Sequence, residues 1–295
     1  MLRGLARQDL VVSLVNLRSF RVPTQVWLSY DEVSKADRLL GYTATLMPIM
    51  EDLCSLAEDL RHRILPSDSD DSSPSFTTES LDYDKCIQQA ESLQQRLRSW
   101  EPPTMNLTSF KSGRKFQAQA ASYRAGALLY LRQLVQHALS APSASFLYEP
   151  PASSQLELLD DPNIDGTSFE ATNFHMSAFT SVDCDFASQA TADTDSDPET
   201  LQRAHEILFY AADLPPADVK LLLWPVFLAA CQMKAPEDRA AVLEIFASIL
   251  DRRKTVTVLK TQTFVEEIVW RARDTGKPWN WMTLAQEHPG ECLPI

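Results

Sequence analysis

Glycine is scarce in this chain, with 7 among 295 residues. Rossmann sheets, phosphate-binding loops and β-sandwiches use glycine at their tight turns, so this low count argues against those folds. Proline is more frequent, with 18 residues. The composition favours helices joined by proline-containing loops, and no convincing strand pattern is present.

Closely spaced cysteines are also lacking. The chain has five, at Cys54, Cys86, Cys184, Cys231 and Cys292. Because the number is odd and no two lie near each other in sequence, no disulfide framework or zinc knuckle is indicated. We expect reduced thiols in an intracellular protein and no bound cofactor or metal.

Long apolar runs are missing too. The most apolar stretch, Leu221 to Met233, reads LLLWPVFLAACQM. It is shorter than the ~20 residues that a membrane helix requires, so we expect no membrane association. Two interpretations remain for it, a ligand pocket and a helix buried in a larger helical body.

Positive charge is absent from Gln133 to Gln202, a segment that carries twelve acidic residues. The chain's net charge of −13 therefore comes almost entirely from this segment. The composition predicts an acidic disordered insertion at 141–198. Four phenylalanines among the acids indicate an activation segment, whereas a merely solvated insertion or a translated intron is the alternative. They are Phe169, Phe174, Phe179 and Phe186.

Apolar residues elsewhere recur every three to four positions, which predicts an all-α protein. Pro48 is expected to kink or split one helix, and Pro225 to kink another. TVTVLKTQTF, around residues 255–264, is the one stretch that also fits an extended strand. The predicted organisation is an N-terminal helix or ragged start (1–33), the first half of a helical domain (34–140, with a disordered loop at 66–80), the acidic insertion (141–198) and the second half of the domain (199–295).

Three motifs in the second half resemble a known family. They are L-L-W-P-x-F-x-x-A at Leu222 to Ala230, P-E-D-R-x-x-V at Pro236 to Val242, and E-x-x-W at Glu267 to Trp270. In this order they resemble the fungal-specific transcription factor domain, the regulatory region of fungal binuclear zinc-cluster transcription factors. The resemblance extends over about residues 36–295. It implies that the motif residues form a structural core, namely Trp224, Pro225, Phe227, Pro236, Asp238, Arg239 and Trp270.

The resemblance also implies a function. It predicts a nuclear regulator of RNA polymerase II genes that acts by protein contact with the transcription machinery or coactivators, with homodimer or heterodimer formation left open. Family members usually begin with a cysteine-rich zinc cluster and a basic stretch, and this chain has neither. Contact with DNA is therefore expected to be indirect. Either the gene model is truncated, or this is a DNA-binding-deficient partner of a zinc-cluster factor.

Two other function classes fit parts of the sequence. In a small-molecule-sensing domain, Trp224, Phe227, Cys231 and Met233 would line a pocket, but aromatic and methionine side chains at helical spacing more often form core. In a terpene-cyclase-like enzyme, the acidic run DDPNID at Asp160 to Asp165 would hold magnesium. It has no second metal motif and no basic diphosphate clamp beside it, and no histidine has a plausible serine or cysteine partner. We therefore expect no catalytic residues.

Overall fold

The computed structural model consists of α-helices with short 3₁₀ and π segments, and no strand occurs among the residues that it describes. The all-α prediction is confirmed. The structure describes residues 2–28, 42–65, 76–103, 110–140, 198–252, 255–276, 279–292 and 294. The predicted acidic insertion, apart from Pro198, and the DDPNID run lie outside these residues.

The helices vary from single turns to one of 31 residues. The non-α segments are 3₁₀ turns at Tyr42–Leu46 and Lys220–Leu222 and a π-helix at Phe264–Trp270. In chain order, the α-helices of the described ranges are α1 (Leu2–Val15), α2 (Thr24–Trp27), α3 (Met47–Asp59), α4 (Arg61–Ile64), α5 (Phe76–Ser99), α6 (Phe110–Ser140), α7 (Pro198–Ala212), α8 (Pro216–Val219), α9 (Leu223–Gln232), α10 (Pro236–Arg252), α11 (Val256–Thr263), α12 (Arg271–Asp274) and α13 (Trp281–Glu287).

The longest helix, α6, lies at the centre of the fold. It packs against α5, α7 and α9, and against the 3₁₀ turn at Tyr42–Leu46. Alanine is frequent on its buried faces, so neighbouring helices approach closely. The buried side chains of α1, α3, α6, α7, α9 and the π-helix belong to one hydrophobic cluster, so the described parts of both predicted halves share a core.

Both predicted proline kinks lie instead at helix starts. Pro48 is in the first turn of α3, directly after the 3₁₀ turn at Tyr42–Leu46. Pro225 is the third residue of α9, and a 3₁₀ turn at Lys220–Leu222 directly precedes this helix. The first-turn N–H groups of a helix have no intrahelical partner, so proline costs no hydrogen bond there. The disruption predicted at Pro225 takes the form of this 3₁₀ turn, which separates α8 from α9.

Two further boundaries differ from the sequence prediction. Helix α5 begins at Phe76, so residues 76–80 of the predicted disordered loop are helical, while 66–75 lie outside the described residues. TVTVLKTQTF is helical from Val256, and α11 continues through the π-helix into α12. Its β-branched residues favour strands locally, but burial of Val258, Phe264 and Val265 in the helical core decides the outcome.

Candidate functional site

Trp224, from the first motif, fills the space between α9 and α6. Its side chain is 1% exposed. Its ring lies 5.7 Å from that of Tyr123 and 6.5 Å from that of Tyr130, both tilted, as aromatic pairs prefer. The indole Nε1 has no hydrogen-bond partner among the described residues. Trp224 therefore acts by packing, and Pro225 beside it is buried as well.

Gly126 on α6 allows this close approach. A Cβ atom at this position would lie 3.2 Å from a ring carbon of Trp224 and 3.5 Å from the Cα of Pro225. The shorter of these contacts is tighter than side chains normally make, so the glycine sets the separation of α6 and α9. The sequence analysis missed it, although a glycine inside an alanine-rich helix indicates close packing.

Phe227 extends the aromatic core toward the C-terminal helix. It meets Trp281 of α13 edge to face, with ring centroids 5.1 Å apart, and Phe264 at 6.2 Å. The Nε1 of Trp281 donates to the Oε1 of Gln133 at 2.9 Å. These contacts attach α13 to α6 and α9, and the buried indole N–H has the partner that burial requires.

The N-terminal helix α1 is tied to the same core. Arg7 donates to the Tyr123 hydroxyl at 2.7 Å and to the carbonyl of Leu221, and Tyr123 itself donates to Leu221 at 3.1 Å. The Tyr130 hydroxyl donates to the carbonyl of Leu14 at 2.8 Å. Burial raises the pKa of Tyr130 well above its usual value, so it remains a donor. Residues 2–15 are thus part of the helical body.

Three side chains, two of them from the second and third motifs, cover the C-terminal end of α9, where helix carbonyls lack intrahelical donors. Trp270 Nε1 donates to the carbonyl of Ala230 at 2.9 Å, and Arg273 to that of Cys231 at 3.1 Å. Arg239 Nε donates to the carbonyl of Met233 at 3.2 Å. The two guanidinium charges also lie at the negative end of the α9 dipole. We call these three donors, Trp270, Arg273 and Arg239, the α9 clamp.

Arg239 is fixed in place from two sides. Its two terminal nitrogens bind the carboxylate of Asp274 at 2.8 and 2.6 Å, and its guanidinium lies 5.0 Å from the centre of the Trp270 ring. The hydrogen bond from Arg239 lowers the pKa of Asp274. This bidentate geometry, stacked on an aromatic ring, requires arginine rather than lysine. Arg239 thereby joins α10, the π-helix and α12.

The remaining motif residues start α10. Pro236 is exposed at its first position, and Asp238 lies in its first turn, where a carboxylate is favourable. Asp238 also lies 3.1 Å from the Nε2 of His205, which is 44% exposed on α7. His205 is therefore partly exposed, and it contacts the Asp238 carboxylate at the start of α10.

Arg273 lies outside the three motifs and was not singled out from the sequence. It is 6% exposed and stacks 5.2 Å from the centre of the Trp279 ring. Its position three residues after Trp270, on the same helix face, is the signal that would have revealed it.

Glu199 joins three helices at the point where the acidic segment ends. Its carboxylate lies 2.6 Å from Arg132 of α6, 2.7 Å from Arg203 of α7 and 3.6 Å from Arg98 of α5. Burial raises the pKa of Glu199, but the hydrogen bond and charge of Arg203, followed by Arg132 and Arg98, outweigh it and lower the pKa overall. The first turn of α7 is thereby held beside the last turns of α6.

No side chain of the proposed sensing pocket lines either of the surface clefts of the described residues. Trp224, Phe227, Cys231 and Met233 are at most 1% exposed and pack as core. Burial raises the pKa of Cys231, as it does for Cys54 and Cys292, so these thiols are protonated and unreactive at neutral pH.

Within the described ranges, no group of three metal-ligating side chains occurs. None of the helices in those ranges combines the length and the apolarity that spanning a bilayer demands.

Two open clefts lie on the surface of the described residues. One, of about 450 Å³, is bounded by the end of α5, the first half of α6 and the second half of α7. The other, of about 430 Å³, lies between α4 and α5 and includes His62, Arg63, Tyr83 and Cys86. The predicted activation residues Phe169, Phe174, Phe179 and Phe186 lie outside the described residues.

The geometry defines the class of this protein as an all-helical domain with a buried aromatic motif. The family model for the fungal specific transcription factor domain matches residues 1–291. The chain belongs to this family, and its role is therefore in transcription regulation. The match includes the N-terminal residues 1–35, which the sequence resemblance left out. No curated protein and no solved structure matches the chain significantly.

Proposed function

We propose that this chain regulates RNA polymerase II transcription in the nucleus by protein contact, with the acidic segment 141–197 binding a coactivator or the transcription machinery. One structural observation supports this function. The segment starts after Ser140 and ends before Pro198, and Arg132 and Glu199 hold these two helix ends together. The segment therefore follows α6 and precedes α7, two helices that the Arg132–Glu199 ion pair connects.

The described helical core contains its own packing and capping contacts. The α6–α7 pair, the aromatic motif around Trp224 and the α9 clamp are built from residues outside 141–197. We propose that the segment itself serves recognition. Acidic residues keep its phenylalanines solvated until an apolar surface on a partner protein accepts them.

Contact with DNA through this chain is proposed to be indirect. Its net charge of −13 opposes approach to the phosphate backbone, and binding to that backbone requires clustered lysine and arginine. A partner subunit that reads DNA would supply the site specificity, either as a homodimer or as a heterodimer. No resident cofactor takes part in this mechanism.

A tethering assay tests the proposal. The full chain, fused to a foreign DNA-binding domain, is expected to activate a reporter gene. Activation should fall to background when Phe169, Phe174, Phe179 and Phe186 are replaced by alanine, because these four aromatic side chains are proposed to supply the apolar contacts with the partner. The control replaces Phe146 by alanine and should keep activity. A fusion that is inactive while folded and nuclear would disprove an activating role.

A second variant separates the segment from the body. Residues 141–197 are exchanged for a Gly-Ser linker of equal length, which preserves the α6–α7 junction at Glu199. We expect an unchanged thermal midpoint and no reporter activity. Full activity of the linker variant would place the activating surface on the helical body instead.

A further inference from the structure

The cleft between α6 and α7 has an aromatic lining and a charged mouth, and we call it the α6–α7 cleft. Phe209 is 70% exposed at its edge, unusual for a phenylalanine on a helix that is otherwise well packed. Apolar surface of this kind, surrounded by polar groups, marks interaction sites. Six of its lining residues carry the proposal, namely Trp100, Arg114, Gln117, Arg124, Phe209 and Asp213.

The polar groups of the cleft favour an acidic occupant. Arg124 is partly exposed and, among the described residues, donates to the carbonyl of Trp100 at 3.2 Å rather than to a carboxylate. Arg114 is 62% exposed and lies 2.6 Å from Asp213. Two guanidinium groups against one carboxylate leave a net positive charge beside the aromatic surface. Aromatic side chains flanked by carboxylates complement such a surface in both charge and apolarity.

The position of the cleft relative to the acidic segment limits which residues reach it. Helices α6 and α7 run antiparallel, with Arg114 paired to Asp213 at one end and Arg132 to Glu199 at the other. At 1.5 Å per residue, Phe209 lies about 17 Å along α7 from Pro198. Ala118, in the middle of the cleft, lies about 33 Å along α6 from Ser140.

Chain length allows Phe186, the phenylalanine of the segment nearest to Pro198 in sequence, to reach the cleft and excludes Phe146. Phe186 precedes Pro198 by twelve residues. That length spans up to about 40 Å, more than the distance back to Phe209. Phe146 follows Ser140 by only six residues. That length spans about 20 Å at most, which is too short for the middle of the cleft.

We propose that the α6–α7 cleft binds the stretch Phe179 to Phe186 of this chain's own acidic segment. One phenylalanine of the stretch packs between Trp100 and Phe209, and Asp183 or Asp185 pairs with Arg124. This intramolecular site goes beyond the proposed function. Because docking uses the same phenylalanines that a coactivator would bind, the two contacts compete, and release from the cleft precedes activation.

Cys184 lies inside the stretch and allows a direct test in the full chain. Gln117 lines the cleft, and a Gln117→Cys variant places a second thiol there. Cys54, Cys231 and Cys292 are buried and protonated, and the half-buried Cys86 is replaced by serine in every variant. With a short bismaleimide reagent, we expect an intramolecular 117–184 crosslink, identified by peptide mass spectrometry.

The matched control separates docking from mere proximity. Ala240 is exposed on α10, close to Asp238 and hence to His205 in the first half of α7. An Ala240→Cys variant should crosslink to Cys184 at least ~10-fold more slowly than the Gln117→Cys variant, a rate ratio that corresponds to about 1.4 kcal/mol of docking preference.

Side-chain variants identify the docked groups. Phe179→Ala combined with Phe186→Ala should reduce the 117–184 crosslinking rate to the Ala240 control rate. Phe209→Ala, at an exposed position that the fold does not need, should slow it severalfold. Phe146→Ala, beyond reach of the cleft, should leave it unchanged.

Three results would overturn the proposal. The first is equal crosslinking at positions 117 and 240, and the second is crosslinking that persists without Phe179 and Phe186. The third is another occupant of the cleft. A second copy of the chain would give crosslinks between two chains. Residues 104–109 in the cleft would make a thiol at position 117 resist maleimide in all variants. The crosslink measures docking alone, so an inactive reporter fusion with an intact crosslink would reject the proposed activation and retain the docking site.

Discussion

The indole of Trp270 donates its N–H to the carbonyl of Ala230 at 2.9 Å, and so connects the π-helix to the C-terminal end of α9. Trp270 is 6% exposed, and Arg239 lies against its ring. This single side chain therefore caps one helix and positions the arginine that caps the same helix from α10. The second and third family motifs meet here, on the helix that carries the first.

Replacement of Trp270 by phenylalanine keeps the ring and removes the donor. The carbonyl of Ala230 then keeps only the backbone N–H of Met233 at 3.2 Å, and loss of the indole hydrogen bond should cost about 0.5–1.5 kcal/mol of unfolding free energy. Urea denaturation of the variant measures this loss. Trp279→Phe is the control, because Trp279 is only partly buried and contributes a ring face to Arg273. A loss no larger than that of the control would show that water replaces the indole donor.

Gly126→Val is expected to destabilise the protein by about 1–3 kcal/mol, the usual range for overpacking a core. Its added carbons meet the Trp224 ring, which Tyr123 and Tyr130 hold in place. Gly126→Ala should lose less, because the helix propensity of alanine offsets about 1 kcal/mol. Ala240→Val, on an exposed helix face, gives the cost of β-branching alone. Stability equal to that control, by urea denaturation, would mean that α6 and α9 separate freely.

His137 makes stability depend on pH. Burial lowers the pKa of His137 from 6.5 to about 4. Because the unfolded chain binds a proton at a pH where the folded chain does not, stability is complete above about pH 6.5 and falls as the pH drops toward 4. The expected loss is about 2 kcal/mol between pH 7.5 and pH 5.

The measurement compares chemical denaturation of the wild type and His137→Gln at both pH values. The variant should lose this part of the pH dependence, since glutamine does not titrate. His62→Gln, at an exposed position on α4, should keep it. If the His137 variant keeps the full wild-type pH dependence, the burial of His137 does not cause it.

Glu199→Gln is expected to weaken the junction of α5, α6 and α7. The carboxylate is 37% exposed, so solvent screens its ion pairs and the loss should be about 1 kcal/mol near neutral pH. Because the folded-state pKa of Glu199 is lowered, its contribution is present above the unfolded pKa of about 4.5 and disappears as the pH falls below that value.

Thermal midpoints at pH 7 and pH 3.5 check this. Wild type and Glu199→Gln should differ at pH 7 and converge at pH 3.5. Glu267→Gln is the control, because its pair with Arg271 is exposed within one continuous helical stretch. A Glu199 effect that persists at pH 3.5 would point to lost packing rather than to lost charge.

Much of the helical pattern followed from local sequence. The apolar spacing from Ala120 to Ala138 matches the buried face of α6, and Pro198 with Glu199 is typical of a helix start, where α7 begins. Helix length and amphipathic spacing are properties of neighbouring residues, so one sequence is enough to read them. Trp224 was predicted to be core on the same basis.

Other features were not readable from local sequence. The local sequence around Pro225 fits a proline inside a kinked helix and a proline in the first turn of a helix equally well. Only the 3₁₀ turn at Lys220–Leu222 shows that α9 begins just before Pro225. The strand-like TVTVLKTQTF became helix because its apolar side chains face a helical core. Arg273, Gly126 and Arg7 act on partners distant along the chain, and local sequence does not specify which residues those partners are.

The sequence by itself determined the fold class, the family and the acidic character of segment 141–197, because composition, periodicity and motif order are properties of the chain alone. Only the tertiary structure decided that α6 and α7 form an antiparallel pair, that the three donors of the α9 clamp meet on the end of α9, and that Trp100 and Phe209 share a cleft. The physical reason is that a side chain contributes through the groups it contacts. Those contacts exist only after residues far apart in sequence are brought within hydrogen-bond and van der Waals distance.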